Sequence, residues 1–188
     1  MMSDSHLQPG FTLKALRQSR GWSLAQAAEE TGVSKAMLGQ IERNESSPTV
    51  ATLWKIATGF NVPFSLFIPT ERPCESATML RSSRTRWPQT QDSMQVTPLF
   101  PYDPQFRFDM LAIELASGAL SNSSPHDLGV IEHVVITEGE LQLAVDGKWH
   151  TLIAGEGLRF QADCPHSYRN DGEQPVKFHC LIHYPPPH

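Results

Sequence analysis

The sequence predicts a two-domain chain, an all-α domain followed by an all-β barrel or jelly roll. Three observations predict this. Residues 11–68 carry apolar side chains at helical spacing, with Ser or Thr opening the periodic runs and Gly or Asn closing them. From about residue 94 the pattern becomes short alternating runs punctuated by Gly and Pro. Between them, Pro69, Pro73, Pro88 and the polar run from Arg81 to Arg86 break both patterns. The predicted division is 1–70 for the helical domain, 71–93 for a linker and edge segment, and 94–188 for the β domain.

A length of 188 residues accommodates two such small domains. No apolar run approaches the ~20 residues needed to cross a bilayer, and Met1 to Gly10 has no signal-peptide character, so the expected location is the cytoplasm. Cys74, Cys164 and Cys180 are odd in number and widely spaced, which excludes a disulfide framework or zinc knuckle. The net charge of −5 is unevenly divided: residues 1–72 hold seven Lys/Arg against six Asp/Glu, and residues 73–188 hold eight against fourteen. The acidic excess lies in the β half, so contact with nucleic acid, if made, is confined to a local patch of the first half.

Thr12 to Arg20 forms the predicted first helix. Ser23 opens a second, with Gln26 three positions on as in a capping box, and Gly32 ends it. Only Val33 separates Gly32 from Ser34, the predicted N-cap of a third helix running to Arg43. Helix, glycine turn, helix is the physical content of a helix-turn-helix. At about 100° per residue, Lys35, Ala36, Gly39, Gln40 and Arg43 share an arc of roughly 140°. Met37, Leu38 and Ile41 take the other side, expected to pack on Leu24, Ala27 and Ala28. Small, amide and basic side chains suit a DNA major groove, since Gln pairs with adenine and Lys or Arg with guanine or phosphate. Gly39 costs about 1 kcal/mol against alanine in mid-helix, which points to a close approach there. A solvated polar face is the alternative for an isolated helix; the glycine turn upstream favours the groove. Thr49 caps a fourth helix with Leu53, Ile56, Ala57 and Phe60 on one face. Pro63 to Ile68 makes a short fifth.

The stretch LKALRQSRGWSLAQAAEETGVSKAMLGQIERNESSPTVATLWKIATGFNVP resembles the XRE family of phage-repressor-type helix-turn-helix domains. The resemblance implies that Ser34, Lys35, Ala36, Met37 and Gln40 read bases, with Gln26 beside them. It implies that Arg43 and the loop Asn44 to Thr49, including Ser46 and Ser47, hold phosphates.

In the second half, Phe106 to Leu115 and Glu140 to Val145 alternate. Asp146-Gly147 is a tight turn into Lys148 to Ile153, Gly155-Glu156-Gly157 another turn, and Val176 to Tyr184 a last strand. His126, Glu132 and Gly139, then His166 and Asn170, resemble the two motifs of the cupin (RmlC-like) superfamily. The resemblance implies that His126, Glu132 and His166 ligate one divalent metal: Zn, Fe, Mn or Ni. Two departures stand out. The family's second histidine falls at Leu128, and its Pro-x-Gly ahead of the second motif is replaced by Gln161-Ala162-Asp163. His133 substitutes only through a bulge, because adjacent strand residues face opposite ways. A metal-free barrel with these histidines as hydrogen-bonding pocket walls therefore stays open. Arg159, Cys164, Tyr168 and His179 are the candidate effector-pocket residues, with His179 and His183 sharing a strand face with Leu181.

An XRE domain joined to a cupin resembles regulators of the enterobacterial sulfur-utilization type. It implies a sequence-specific regulator, dimeric on an inverted-repeat operator in double-stranded DNA, whose barrel senses a small molecule such as a sulfur-containing amino acid. Two alternatives remain, a metal-dependent cupin dioxygenase or isomerase with an appended DNA-binding domain, and a scaffold whose barrel only dimerises.

Overall fold

A computed structural model describes residues 9–68 and 93–186. The predicted linker, apart from Ser93, and Cys74 within it lie outside the described residues. The first domain consists of α1 (Pro9–Ser19), α2 (Leu24–Thr31), α3 (Lys35–Glu42) and α4 (Val50–Gly59). Each expected cap forms. The hydroxyls of Ser23, Ser34 and Thr49 accept hydrogen bonds from the backbone N–H of Gln26, Met37 and Thr52, satisfying donors that a helix start leaves free. Gly32 ends α2 in the left-handed conformation, with φ at 64°, where a side chain is strained.

Among the described residues the helical domain has four α-helices rather than five. After Pro63 there is a single 3-10 turn, Phe64–Phe67, closed by a bond from the N–H of Leu66 to the carbonyl of Pro63. Four residues cannot sustain the i-to-i−4 ladder of a longer helix. The first helix also starts earlier than predicted, at Pro9, where a missing N–H costs nothing. Leu13, Ala27, Leu38, Ile41, Leu53, Ile56 and Phe60 are buried between the helices.

The second domain has nine strands among the described residues: β1 (Met94–Asp103), β2 (Phe108–Leu115), β3 (Leu120–Ser123), β4 (Ile131–Glu138), β5 (Glu140–Val145), β6 (Lys148–Ile153), β7 (Gly157–Gln161), β8 (His166–Arg169) and β9 (Val176–His183). They form two antiparallel sheets, ordered β1-β2-β9-β4-β7 and β3-β8-β5-β6. Alternation assigns one face of each strand to the interior. On β9, Val176, Phe178, Cys180 and Ile182 point inward, and Lys177, His179, Leu181 and His183 point outward. The β5–β6 hairpin turns on Asp146-Gly147, as its sequence predicts.

The two domains are in contact. α4 and the 3-10 turn pack on β1, and α4 also on β3. The indole Nε1–H of Trp54 donates to Ser123 Oγ at 2.9 Å, and Asn61 Nδ2 donates to Asp127 Oδ2 at 2.5 Å. Ser65 Oγ donates to Asp109 Oδ1 at 2.7 Å and in turn accepts from the N–H of Tyr102 at 3.0 Å.

Burial raises the Asp109 carboxyl from its ordinary 3.8 to about 6, against hydrogen bonds from Ser65 that lower it. The folded chain thus holds this proton more tightly than the unfolded chain does. The associated stability is fully present below about pH 4 and lost as pH rises through 6, amounting to about 2–3 kcal/mol. Urea midpoints measured from pH 4 to 7 are expected to fall more steeply for the native chain than for Asp109→Asn. Parallel profiles would refute the assignment.

Candidate DNA interface and candidate metal centre

The candidate recognition surface is built on α3, between the Gly32 turn and the loop that follows Arg43. Leu38 and Ile41 anchor its inner side in the core. A second anchor is electrostatic and was not foreseen from the sequence. The Arg17 guanidinium of α1 donates from Nε and Nη2 to the two oxygens of Glu42, at 2.6 and 2.9 Å, and from Nη1 to the carbonyl of Trp22. Such a fork fixes orientation as well as position. No local pattern pairs residues 25 positions apart.

Gln26, Ser34, Lys35, Ala36, Gln40, Arg43, Asn44 and Ser47 are exposed, and Ser46 is half-buried. Apart from Ser46, each of these predicted residues is thus open to solvent. Two of the face assignments change. Met37 is exposed rather than packed inward, and it receives a weak contact from Ser46 Oγ at 3.9 Å. Gly39 is buried rather than outward: a Cβ there would lie 3.2 Å from Arg43 Nη1 and 3.7 Å from Leu24 Cδ1. The close approach inferred at Gly39 is therefore internal, made by α2 and by the Arg43 side chain. The Arg43 guanidinium forks the exposed Glu45 carboxylate, with contacts of 2.8 and 2.7 Å.

The barrel interior holds a second constellation. Glu132 lies on the inward face of β4 and is fully buried. His166 opens β8 in the opposing sheet. His126 lies in the segment between β3 and β4, its backbone N–H bonded to the carbonyl of Ala162. Nε2 of His126 and Nε2 of His166 stand 3.0 and 3.4 Å from Glu132 Oε1. The two imidazoles stack with centroids 5.8 Å apart. Glu132 Oε2 is occupied from the other side, accepting the Tyr168 hydroxyl proton and a thiol contact from Cys180 at 3.5 Å.

These residues fit a divalent cation. One ligand atom from each of His126, Glu132 and His166 lies within 4.8 Å of the others. His166 Nδ1 bonds the carbonyl of Cys164 at 2.9 Å, which fixes the ring tautomer and turns the Nε2 lone pair toward the centre, where it has no hydrogen-bond partner. The electrostatics agree. Burial alone pushes the Glu132 carboxyl up, but the charges of the two imidazoles and the hydrogen bond from His126 outweigh it and hold it well below the usual carboxylate range. Burial lowers His166, and the Glu132 charge more than restores it. Burial and Glu132 together drive the Tyr168 hydroxyl well above its ordinary value, so it stays a donor.

The four candidate effector residues divide. Tyr168 is inside, holding Glu132. Cys164 contributes through its carbonyl, while its thiol bonds the carbonyl of Gln161. Arg159 and His179 are on the outer face of the five-stranded sheet, opposite Glu132, because each is one residue out of step with an inward neighbour, Phe160 and Cys180. They do not reach the site. His133 also points outward, with no bulge to redirect it, and Leu128 is exposed. Asn170 is a bracket instead of a ligand: its Nδ2 donates to the carbonyls of Leu115, Ala116 and Gln174. Cys180 was missed as a site residue, and a buried thiol in an apolar strand carries no signal that would reveal it.

Comparison with known proteins agrees with this division. A helix-turn-helix family model matches residues 13–67 and a cupin-domain model matches residues 112–182. The HTH-type transcriptional regulator SutR of Escherichia coli is 64% identical over 93% of both chains. PuuR, another HTH-type transcriptional regulator of that organism, is 26% identical over 90% of this chain and 91% of its own. The crystal structure of an HTH_3 family transcriptional regulator from Vibrio cholerae superposes with a TM-score of 0.74 at 44% identity, covering 96% of this chain and 97% of that one. No described helix is long and apolar enough to cross a membrane. With its capped helix-turn-helix, buried barrel site and a relative this similar along nearly its whole length, the chain belongs to the family of HTH-type transcriptional regulators that join a helix-turn-helix domain to a cupin domain.

Proposed function

We propose that this regulator is a cytoplasmic homodimer that reads an inverted repeat through two copies of α3 and responds to a divalent metal, alone or with a small effector, at His126, Glu132 and His166. The observation that carries the reading is the buried triad itself, held with His126 Nδ1 and His166 Nε2 both lacking a hydrogen-bond partner, on the same chain as an exposed α3. One α3 reads only a half-site, and two copies placed about 34 Å apart span successive major grooves. Gln26, Ser34, Lys35, Ala36, Met37 and Gln40 face bases; Arg43, Asn44, Ser46 and Ser47 face phosphates.

Sensing is favoured over catalysis by the commitments of Glu132. One of its oxygens faces both imidazoles, and the other accepts from Tyr168 and Cys180. Neither oxygen is left to take a substrate proton.

The test is a thermal melt of the full chain with Zn²⁺, and with Zn²⁺ plus cysteine as the sulfur amino acid. Metal at 100 times its Kd adds about 2.7 kcal/mol of stability, so a rise in melting temperature absent from His166→Ala is expected. A further rise with cysteine supports the effector class. An unmoved melt, together with no metal in natively purified protein by mass spectrometry, would overturn the metal reading.

A further inference from the structure

His126 and His166 are held differently. His166 has an outer hydrogen-bond partner, the carbonyl of Cys164, whereas Nδ1 of His126 is buried and has none. The place of His126 is therefore set by its backbone, which its own N–H ties to the Ala162 carbonyl of the barrel and which the helical domain contacts on either side. Three residues before it, Ser123 accepts the indole proton of Trp54; one residue after it, Asp127 accepts from the amide of Asn61. Asp127 N–H also faces Asn61 Oδ1 at 3.5 Å. Trp54 is 2% exposed, so its N–H has no water to turn to if the bond to Ser123 is lost.

We propose that Trp54 and Asn61, on and just after α4, are positioning residues of the metal centre. By clamping 123–127 from both sides they set where His126 meets Glu132 and His166. This rests on the metal reading above and adds how occupancy is communicated. Coupling between two sites is reciprocal: whatever factor α4 docking adds to metal affinity, metal adds to α4 docking.

The route continues toward the recognition helix. Gly59, at the end of α4, lies directly on the end of α2: a Cβ there would stand 2.5 Å from the carbonyl oxygen of Glu30 and 2.6 Å from Thr31 Cα. Two backbones in contact leave no compliant side chain to absorb a shift. A displacement of α4 therefore carries the end of α2 and the Gly32 turn with it, and α3 begins at Lys35, three residues after Gly32.

The test uses the full chain with Co²⁺ as the probe, its affinity followed by the visible absorption of the bound ion. Trp54→Phe and Asn61→Ala are each expected to weaken Co²⁺ binding about 3- to 10-fold, up to the lower bound of about 10-fold for partners bonded directly to a ligand. Asn61→Asp faces Asp127 with a like charge and weakens binding as well. Adding Asp127→Asn restores the pair with its partners exchanged and recovers affinity to within about twofold, a rescue that general destabilisation would not give. Ser23→Ala removes the α2 cap at about 1 kcal/mol without touching 123–127 and is expected to leave affinity unchanged. In spectra of ¹⁵N-labelled protein, Zn²⁺ is expected to shift the Trp54 indole resonance, and His126→Ala to abolish that shift.

Wild-type affinity in both Asn61→Ala and the exchanged pair, or an equal loss in Ser23→Ala, would overturn the proposal. If Trp54→Phe fails to fold, the Asn61–Asp127 exchange decides alone. If the unaltered chain binds no Co²⁺, or binds it equally well as His126→Ala, the metal reading fails first and takes this inference with it. That result is distinguishable because it precedes any change at the interface.

Discussion

Glu132→Gln is expected to lower divalent-metal affinity by at least about 100-fold while leaving the chain folded. Outer-shell losses alone reach that size in metal sites, and this change removes the only anionic ligand. Glutamine keeps the shape, so the barrel loses no volume. One amide atom can still accept from Tyr168, but the other then presents N–H groups to both imidazoles, where a carboxylate oxygen now stands 3.0 and 3.4 Å away. Calorimetric Zn²⁺ titration checks the loss, and wild-type affinity would remove Glu132 from the ligand set.

The same substitution has a pH signature in metal-free protein. The Glu132 carboxyl is depressed in the fold, so its stabilisation is present above its unfolded value of about 4.5 and is lost as pH falls below it. His166 is raised, so its stabilisation is complete below about 6.5 and is lost as pH rises through its folded value. The cluster therefore stabilises the metal-free chain most between these limits. Glu132→Gln removes the charge responsible for both shifts, and its stability profile is expected to flatten on both sides. Metal competes with these protons, so affinity in the native chain falls as the medium becomes acidic.

The second large effect lies in α3. Gln40→Ala is expected to remove about 1–3 kcal/mol of discrimination between operator and a site altered at one base pair, with little change in binding to unrelated DNA. Arg43→Ala should instead weaken binding to all sequences and reduce the slope of log affinity against log salt by about 1. Fluorescence anisotropy on the operator and on scrambled duplexes at several salt concentrations separates them. Equal losses on every sequence from both changes would refute base reading by Gln40. Arg43 brings a complication from the tertiary structure: its guanidinium is already forked by Glu45, so DNA must displace that carboxylate. Glu45→Gln releases it, and tighter binding at low salt is expected.

Most of the helical domain was legible in the sequence because its signals are local. Ser23, Ser34 and Thr49 cap helices within three residues of themselves, and Gly32 turns the chain within one. The fifth helix failed for a local reason too, since a four-residue segment after proline closes only a 3-10 turn. Face assignment on α3 was less secure: eight residues make little more than two turns, and a modest rotation about the axis buries Gly39 and exposes Met37.

In the barrel, alternation alone established that Glu132 and His133 face opposite ways, and the family resemblance selected Glu132. Arg159, between inward Leu158 and Phe160, carries an outward signal that is readable from alternation along β7. His179 does not: it shares its parity with Leu181, and its neighbours Phe178 and Cys180 are apolar as well, so β9 alone does not say which side is core.

The resemblance to the cupin motifs supplied the three residues able to hold a metal; by itself the sequence determined the two fold classes and the caps and turns that frame α3. Each of these is encoded by neighbours a few positions apart or by spacing along one strand. Only the tertiary structure decided that Arg17 braces α3, that Tyr168 and Cys180 hold the far side of Glu132, and that Trp54 and Asn61 flank His126. Those partners lie 25 to 69 positions apart in the chain. Such pairings are chosen by how folded surfaces meet, and no periodicity along the backbone records that choice.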